Sequence, residues 1–124
     1  MARILIAEDD DAVGTQVSCA LREDGHDITL AADGAAALEQ LTQAEGRFDL
    51  LLTDIKMPVM DGIALALAAA RDYPEIVILL MTGYADQRER ASGLDALVHD
   101  VLTKPFTLHD LRLSVCGALQ GRAH

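Results

Sequence analysis

The sequence is poor in aromatic residues, in cysteine and in positive charge. Of its 124 residues two are Tyr, two are Phe and none is Trp, although 51% of the chain is apolar. The core must therefore consist of Leu, Ile, Val and Ala, as in a small parallel sheet covered by helices. The two cysteines, Cys19 and Cys116, match no metal-ligand spacing, and we expect them to be small buried or half-buried side chains.

Positive charge is too sparse for a nucleic-acid interface. Ten Lys and Arg residues face twenty Asp and Glu, the formal net charge is −10, and no basic run occurs. Since phosphate recognition needs clustered Lys and Arg, we expect no direct binding to nucleic acid. No apolar run approaches the length of a membrane span, and Met1 leads directly into the first predicted strand. The expectation is a cytoplasmic protein without membrane association.

The length and the alternation of apolar runs with helical patterns predict one domain, residues 1–124, built from five strand–helix units. The predicted strands are 3–7, 27–31, 48–53, 75–81 and 97–102, and the predicted helices are 11–24, 34–45, 62–71, 86–93 and 107–120. Segment 86–93 is the weakest helix, because it has almost no apolar face. Such alternation implies right-handed crossovers, a parallel sheet and helices on both of its faces.

Local sequence chemistry supports these boundaries. Asp33 and Asp61, each followed by Gly, are predicted helix caps, while Gly25 and Gly46 follow predicted helix ends. Two helices carry an apolar stripe at the helical period. The stripe residues are Val13, Val17, Ala20 and Leu21 in the first helix, and Leu108, Leu111, Val115 and Leu119 in the last.

Polar residues follow four of the predicted strands at the point where each strand ends. They are Glu8-Asp9, Asp54, Thr82 and Lys104-Pro105. Because the carboxyl ends of parallel strands meet at one edge of a sheet, these residues should share a crevice. Three carboxylates in a small volume repel one another unless a cation neutralises them. Mg²⁺ suits such a site, since it takes few carboxylates, keeps waters and binds phosphates at the same time.

The ordered motifs resemble those of a response-regulator receiver domain of the CheY-like family over essentially the whole chain. They are Ile4-Leu5-Ile6-Ala7-Glu8-Asp9-Asp10, Leu51-Leu52-Thr53-Asp54-Ile55-Lys56-Met57-Pro58-Val59-Met60-Asp61-Gly62, Met81-Thr82-Gly83-Tyr84-Ala85 and Leu102-Thr103-Lys104-Pro105-Phe106. The resemblance implies a doubly wound, flavodoxin-like α/β fold with strand order 2-1-3-4-5 and five flanking helices.

The same resemblance implies a metal site and a phosphoacceptor. Asp9 and Asp54 would ligate Mg²⁺ directly, Glu8 would do so through water, and the backbone carbonyl of Lys56 would complete the protein ligands. Asp54 would be the nucleophile that becomes an acyl phosphate.

The remaining roles also follow from the resemblance. The metal and Lys104 would stabilise charge on the phosphoryl oxygens, and the Thr82 hydroxyl would hydrogen-bond the product. Pro105 would follow a cis peptide bond that aims Lys104 into the crevice. Lys56 and Tyr84 are candidates for tuning the lifetime of the acyl phosphate.

One position departs from the family pattern. Receivers usually carry Tyr or Phe three residues before the lysine of the Lys-Pro pair, whereas this chain has Val101. Valine cannot report a movement of Thr82 by turning an aromatic ring. Our hypothesis is that the output change uses the loop around Gly83-Tyr84 and the segment 86–93 instead.

The functional expectation is a stand-alone receiver that accepts a phosphoryl group from a sensor histidine kinase or a histidine phosphotransfer protein. Phosphorylation would switch binding to an unidentified protein partner. The chain is therefore expected to act mainly as a switch, although the resemblance implies that it would catalyse its own phosphorylation and dephosphorylation. Its motifs most resemble those of the CpdR type, which is linked to regulated proteolysis.

Two alternatives remain open. A phosphorelay intermediate would use the same chemistry but pass its phosphoryl group to a histidine phosphotransfer protein. An aspartate-nucleophile phosphatase of the haloacid dehalogenase type needs a second Asp where this chain has Lys56. An EF-hand and a dinucleotide-binding fold are excluded by spacing, since neither the terminal Glu of the calcium loop nor a G-x-G-x-x-G motif is present.

Overall fold

The centre of the protein is a five-stranded sheet. The structure is a computed structural model that describes residues 2–83 and 97–122. The strands are β1 (Arg3–Ala7), β2 (Asp27–Ala31), β3 (Leu50–Asp54), β4 (Val77–Thr82) and β5 (Asp100–Thr103). The described helices are α1 (Asp11–Glu23), α2 (Gly34–Gln43), α3 (Gly62–Asp72) and α4 (Leu108–Arg122). The helix predicted at 86–93 lies outside the described residues.

All strand pairs are parallel, and the order is β2-β1-β3-β4-β5, which confirms the expected topology. The order places β1 beside β3, with Ala7 opposite Thr53. On the other side of β3, Asp54 lies opposite Met81 of β4. The ends of β1, β3 and β4 therefore come together at one edge of the sheet.

Side chains of the central strands alternate between two apolar cores. Ile4 and Ile6 of β1 face a core that α1 and α4 complete with Val17 and Leu111. The intervening residues of β1 face the opposite core, which contains residues of α2 and α3. Strand β3 is buried at every position because helices cover both faces of the sheet.

The predicted helix faces and caps are confirmed. All eight stripe residues of the first and last helices are buried or half-buried against the same core. The side chains of Asp33 and Asp61 accept hydrogen bonds from the first turns of α2 and α3. Gly25 and Gly46 adopt positive φ angles just after helices. Helix α1 begins at Asp11 because Asp10 Oδ1 accepts hydrogen bonds from two amides of the first turn.

Several sequence-based predictions were wrong in detail. Cys19 and Cys116 are exposed, because each lies on the outer side of its helix rather than on the apolar stripe. Strand β3 begins at residue 50 rather than 48 and includes Asp54. Strand β4 begins at residue 77 because the amide of Ile76 closes a turn by donating to the carbonyl of Tyr73.

Strand β5 is the element whose limits differ most from the prediction. It covers residues 100–103 instead of 97–102. The apolar residues before it misled the prediction, because Val98 is buried in the core without belonging to a strand. Within the described ranges, no helix has the length and apolar character needed to cross a membrane.

The hydroxyl of Ser18 is buried in α1 and has no hydrogen-bond partner among the described residues. A buried polar group without a partner costs about 1–3 kcal/mol. We therefore expect Ser18→Ala to raise the free energy of unfolding by about 1 kcal/mol more than Ser114→Ala, a helical serine that is half-buried. Urea denaturation measures both variants. Equal effects would mean that only helix propensity had changed.

Candidate functional site

The carboxyl edge of the sheet carries an acidic crevice. Glu8 directly follows β1, and its amide donates to the carbonyl of Ala31 at 3.0 Å, which extends the pairing of β1 with β2 by one residue. Asp54 is the last residue of β3. Because β1 and β3 are neighbours, their carboxylates face the same space.

Asp54 is held in a fixed orientation. Its carboxylate Oδ1 accepts a hydrogen bond of 2.8 Å from the amide of Ile55, a residue buried in the core. Its backbone carbonyl accepts a bond of 2.9 Å from the Thr53 hydroxyl. The residue is only 7% exposed. The strand end thus presents one carboxylate to the crevice with little freedom to turn away.

Lys104 provides the positive charge of the crevice. Its ammonium Nζ lies 2.6 Å from Glu8 Oε1 and 2.9 Å from Asp54 Oδ2. Its amide donates to the Thr82 carbonyl at 2.7 Å, so the backbone at this point is attached to the end of β4. The Lys104–Pro105 peptide bond is cis, as the resemblance implied. One lysine therefore pairs with carboxylates at the ends of two different strands.

The crevice perturbs the ionisation of both partners. Burial, together with the neighbouring Asp54, raises the pKa of Glu8 to about 7, although Lys104 opposes the shift. Burial acts to lower the pKa of Lys104, but its hydrogen bonds with Glu8 and Asp54 outweigh that effect and raise it. Lys104 is consequently charged at neutral pH, whereas Glu8 takes up a proton readily when no other cation is present.

Glu8, Asp9 and Asp54 each offer a carboxylate oxygen, and these oxygens lie within 4.8 Å of one another. Mg²⁺ holds oxygen ligands at about 2.1 Å, which puts opposite ligands about 4 Å apart. Oxygens within 4.8 Å of one another are therefore close to the spacing that ligands of one Mg²⁺ require. Asp9 is exposed, so the site opens to water on one side. The three acids and the surrounding charge fit a small divalent cation.

A cavity of about 640 Å³ opens from these acids. Lys56 and Gly83 lie on its wall, as does the beginning of α4 at Leu108. Beyond the acids, Val13 and Val17 of α1 and the half-buried Phe106 add an apolar part to the wall. Sequence reasoning missed this part of the site. It assigned the two valines to the core, and only the position of Phe106 next to Pro105 hinted at another role.

The position of Thr82 relative to the crevice differs from that of the charged residues. It is fully buried at the end of β4, and it is not among the described residues that line the cavity. Val101 is half-buried and packs against the core that α2 and α3 cover. Tyr84 and the segment 86–93 lie outside the described residues, so the output hypothesis based on them stays a prediction.

Fold and site together define a class: an open parallel α/β protein with an acidic, lysine-paired crevice at the carboxyl edge of its sheet. Residues 4–115 match the model of the response regulator receiver domain. The chain belongs to this family. It is accordingly a receiver domain of two-component signalling systems.

Individual relatives agree with that assignment. The chain is 42% identical to the response regulator receiver protein CpdR of Brucella abortus, over 90% of this chain and 91% of that protein. Other curated relatives, 33–38% identical, are longer, and the chain spans about half of their length.

Solved structures resemble the whole fold. A CheY-like receiver domain protein from Methanospirillum hungatei has a TM-score of 0.90 and 28% identity, with 99% of this chain and 97% of that chain covered. TrrA of Thermotoga maritima, solved in complex with Mg²⁺-BeF, has a TM-score of 0.84 and 27% identity, and 96% of this chain and 100% of that chain are covered.

The raised pKa of Glu8 predicts a pH-dependent stability of the metal-free protein. Between pH 4.5 and 7 the folded state binds the Glu8 proton more tightly than the unfolded state does. The Glu8 contribution to the free energy of unfolding should therefore fall as pH rises through this window, by at most about 1.4 kcal/mol per pH unit. Glu8→Gln, which mimics the protonated acid, should lose this component.

Urea denaturation in EDTA at pH 5, 6, 7 and 8 tests the prediction. We expect the wild type and Glu8→Gln to be similar in stability at pH 5 and the wild type to be the less stable protein at pH 8. Groups away from the crevice titrate alike in both proteins, so their contributions cancel in the difference, and Lys104, whose pKa is raised, stays charged over this pH range. A difference that did not change with pH would contradict the shift.

Proposed function

We propose that this chain is a single-domain response regulator whose Asp54 accepts a phosphoryl group in an Mg²⁺-dependent reaction. The observation that carries the proposal is the pairing of the buried, oriented Asp54 carboxylate with Lys104 at 2.9 Å, beside two further acids. A structural ion pair alone would need neither the additional carboxylates nor an open cavity above them.

The proposed reaction forms one bond and breaks one. An oxygen of Asp54 attacks the phosphorus of the donor, the new O–P bond makes an acyl phosphate, and the bond from phosphorus to the donor atom breaks. With a phosphohistidine donor the broken bond is P–N, and the released imidazole nitrogen takes up a proton. With acetyl phosphate the broken bond is P–O, and acetate leaves.

Each nearby residue has a part in that step. The amide of Ile55 holds the Asp54 carboxylate in place through its bond to Oδ1. The ammonium of Lys104 pairs with the Glu8 and Asp54 carboxylates and would instead donate hydrogen bonds to the incoming phosphoryl oxygens. We assign the hydrogen bond of the phosphorylated state to Thr82, at the end of the adjacent strand. Glu8, Asp9, Asp54 and the carbonyl of Lys56 would hold Mg²⁺, which supplies electrostatic stabilisation of the transferred group.

The proposed partners follow from the family. A sensor histidine kinase or a histidine phosphotransfer protein would donate the phosphoryl group, and phosphorylation would change the affinity for a second protein. The similarity to CpdR leads us to include the proteolysis machinery among candidate output partners. TrrA, solved with Mg²⁺-BeF, supports the use of that reagent as a phosphoryl mimic for this chain.

The role of Asp54 as phosphoacceptor can be tested by substitution. On incubation with acetyl phosphate and Mg²⁺, we expect the wild type to gain the mass of one phosphoryl group, while Asp54→Asn gains none. Asp49→Asn is the matched control, since Asp49 precedes β3 and accepts a hydrogen bond from Arg3 at the opposite edge of the sheet. It should be phosphorylated like the wild type. Intact-protein mass spectrometry measures all three.

EDTA should abolish the gain of mass, because the proposed reaction requires Mg²⁺. A wild type that gains no mass from acetyl phosphate or from a phosphohistidine donor would overturn the proposal. Equal labelling of wild type and Asp54→Asn would instead place the modification on another residue.

Substitution of Lys104 should affect metal binding and phosphorylation differently. Lys104→Met removes the ammonium that competes for Glu8 and Asp54. We expect its Mg²⁺ affinity to equal or exceed that of the wild type, and its phosphorylation rate to fall at least about tenfold, because a donor to the phosphoryl oxygens is lost. Calorimetry and the time course of mass gain measure the two quantities.

Arg47→Met is the control, because Arg47 is exposed and pairs with Glu45 away from the crevice. It should leave both quantities unchanged. A parallel loss of Mg²⁺ affinity and phosphorylation in Lys104→Met would mean that the lysine holds the site together rather than acting on the phosphoryl group.

A further inference from the structure

The loop between β3 and α3, residues 55–61, is attached at both of its ends, and at its beginning the Ile55 amide donates to the Met81 carbonyl at 3.1 Å. At its far end the Gly62 amide donates to the Ile55 carbonyl at 2.8 Å. A Cβ atom on Gly62 would lie only 1.9 Å from the Asp54 carbonyl oxygen, so the start of α3 packs directly on the backbone of Asp54. The loop is therefore a short excursion that begins and ends beside the proposed phosphoacceptor.

The shape of this loop is not the one that its own sequence prefers. Val59 has φ +69°, in the left-handed region that β-branched residues rarely occupy. The residue is 86% exposed, so burial of the valine does not compensate for this conformation. Contacts elsewhere in the loop must impose it.

Gly34, the first residue of α2, makes such a contact. Its amide donates to the Met60 carbonyl at 3.2 Å. A Cβ atom on Gly34 would lie 2.2 Å from that oxygen and 2.9 Å from the carbonyl carbon. Both neighbours are backbone atoms, which cannot move aside as the end of a flexible side chain can. Only glycine allows α2 to approach the loop this closely.

Helix α2 itself is firmly placed. Asp33 caps it by accepting a hydrogen bond of 2.8 Å from the Ala36 amide. One and two turns further along, Ala37 and Leu41 are fully buried in the core. A side chain at position 34 would consequently push the loop away rather than the helix.

We propose that Gly34 is a positioning residue for the metal site, acting through Met60 on the loop that carries Lys56. The inference rests on the proposed function, in which the Lys56 carbonyl is a metal ligand. Gly34 is not among the residues that line the acidic cavity. Its effect on the site passes through the backbone of the loop, whose conformation the contact helps to define.

The test compares the Mg²⁺ affinity of wild type, Gly34→Ala and Gly117→Ala by calorimetry. At Gly117, in α4, the nearest atom to an added Cβ is 3.9 Å away, so alanine should fit there without displacement. We expect Gly34→Ala to bind Mg²⁺ at least about tenfold more weakly, the size of effect seen for groups that orient metal ligands. Gly117→Ala should bind like the wild type. Circular dichroism confirms that the variants are folded.

A second measurement uses the wild type alone and applies even if Gly34→Ala does not fold. Coupling between two sites is reciprocal, so Mg²⁺ must stabilise the Gly34–Met60 contact if the contact favours Mg²⁺. We expect saturating Mg²⁺ to slow hydrogen exchange of the Gly34 amide.

Different results would contradict the role of Gly34 and the proposed function. Unchanged affinity in a folded Gly34→Ala, or an exchange rate at Gly34 that Mg²⁺ does not alter, would overturn the inference and leave the proposed function standing. A wild type that binds no Mg²⁺ would overturn both.

Discussion

The convergence of three carboxylates on one crevice is the constraint on which the rest of the site depends. Glu8, Asp9 and Asp54 repel one another, and burial of two of them increases the cost of their charges. Lys104 offsets part of that cost by pairing with both buried acids. The part of the cost that Lys104 does not offset raises the pKa of Glu8. A site in this state is ready to take up a further cation, as the proposed phosphoryl transfer would require.

The strand order makes this convergence possible. Adjacent strands are about 4.8 Å apart, so carboxylates at the ends of β1 and β3 meet directly. Strand β5 lies two strands from β3, about 10 Å away, and only a long side chain can return across that distance. Lysine has both the length and the charge. The topology therefore explains why the cationic partner of Asp54 comes fifty residues later in the chain and is a lysine.

Much of this could be read from the residues. Apolar runs located the strands because helices cover both faces of the sheet, and Asp33 and Asp61 marked helix starts because their side chains cap the first turn. Exposure was harder to foresee. Cys19 and Cys116 are each next to a buried residue in the sequence. A small rotation of the helix about its axis therefore decides whether such a residue faces the core or the solvent. Val98 resembled a strand residue because burial alone does not distinguish a strand from a packed loop.

The sequence by itself determined which chemistry was available, since it placed acids, a threonine and a lysine after apolar segments, and side-chain type and local order do not depend on the rest of the fold. The tertiary structure decided how these groups act on one another. Lys104 bridges Glu8 and Asp54, Val13 and Phe106 share a cavity wall with the acids, and Gly34 contacts the backbone of Met60. Such contacts join residues far apart in the chain, and their distances arise only when helices and strands pack together.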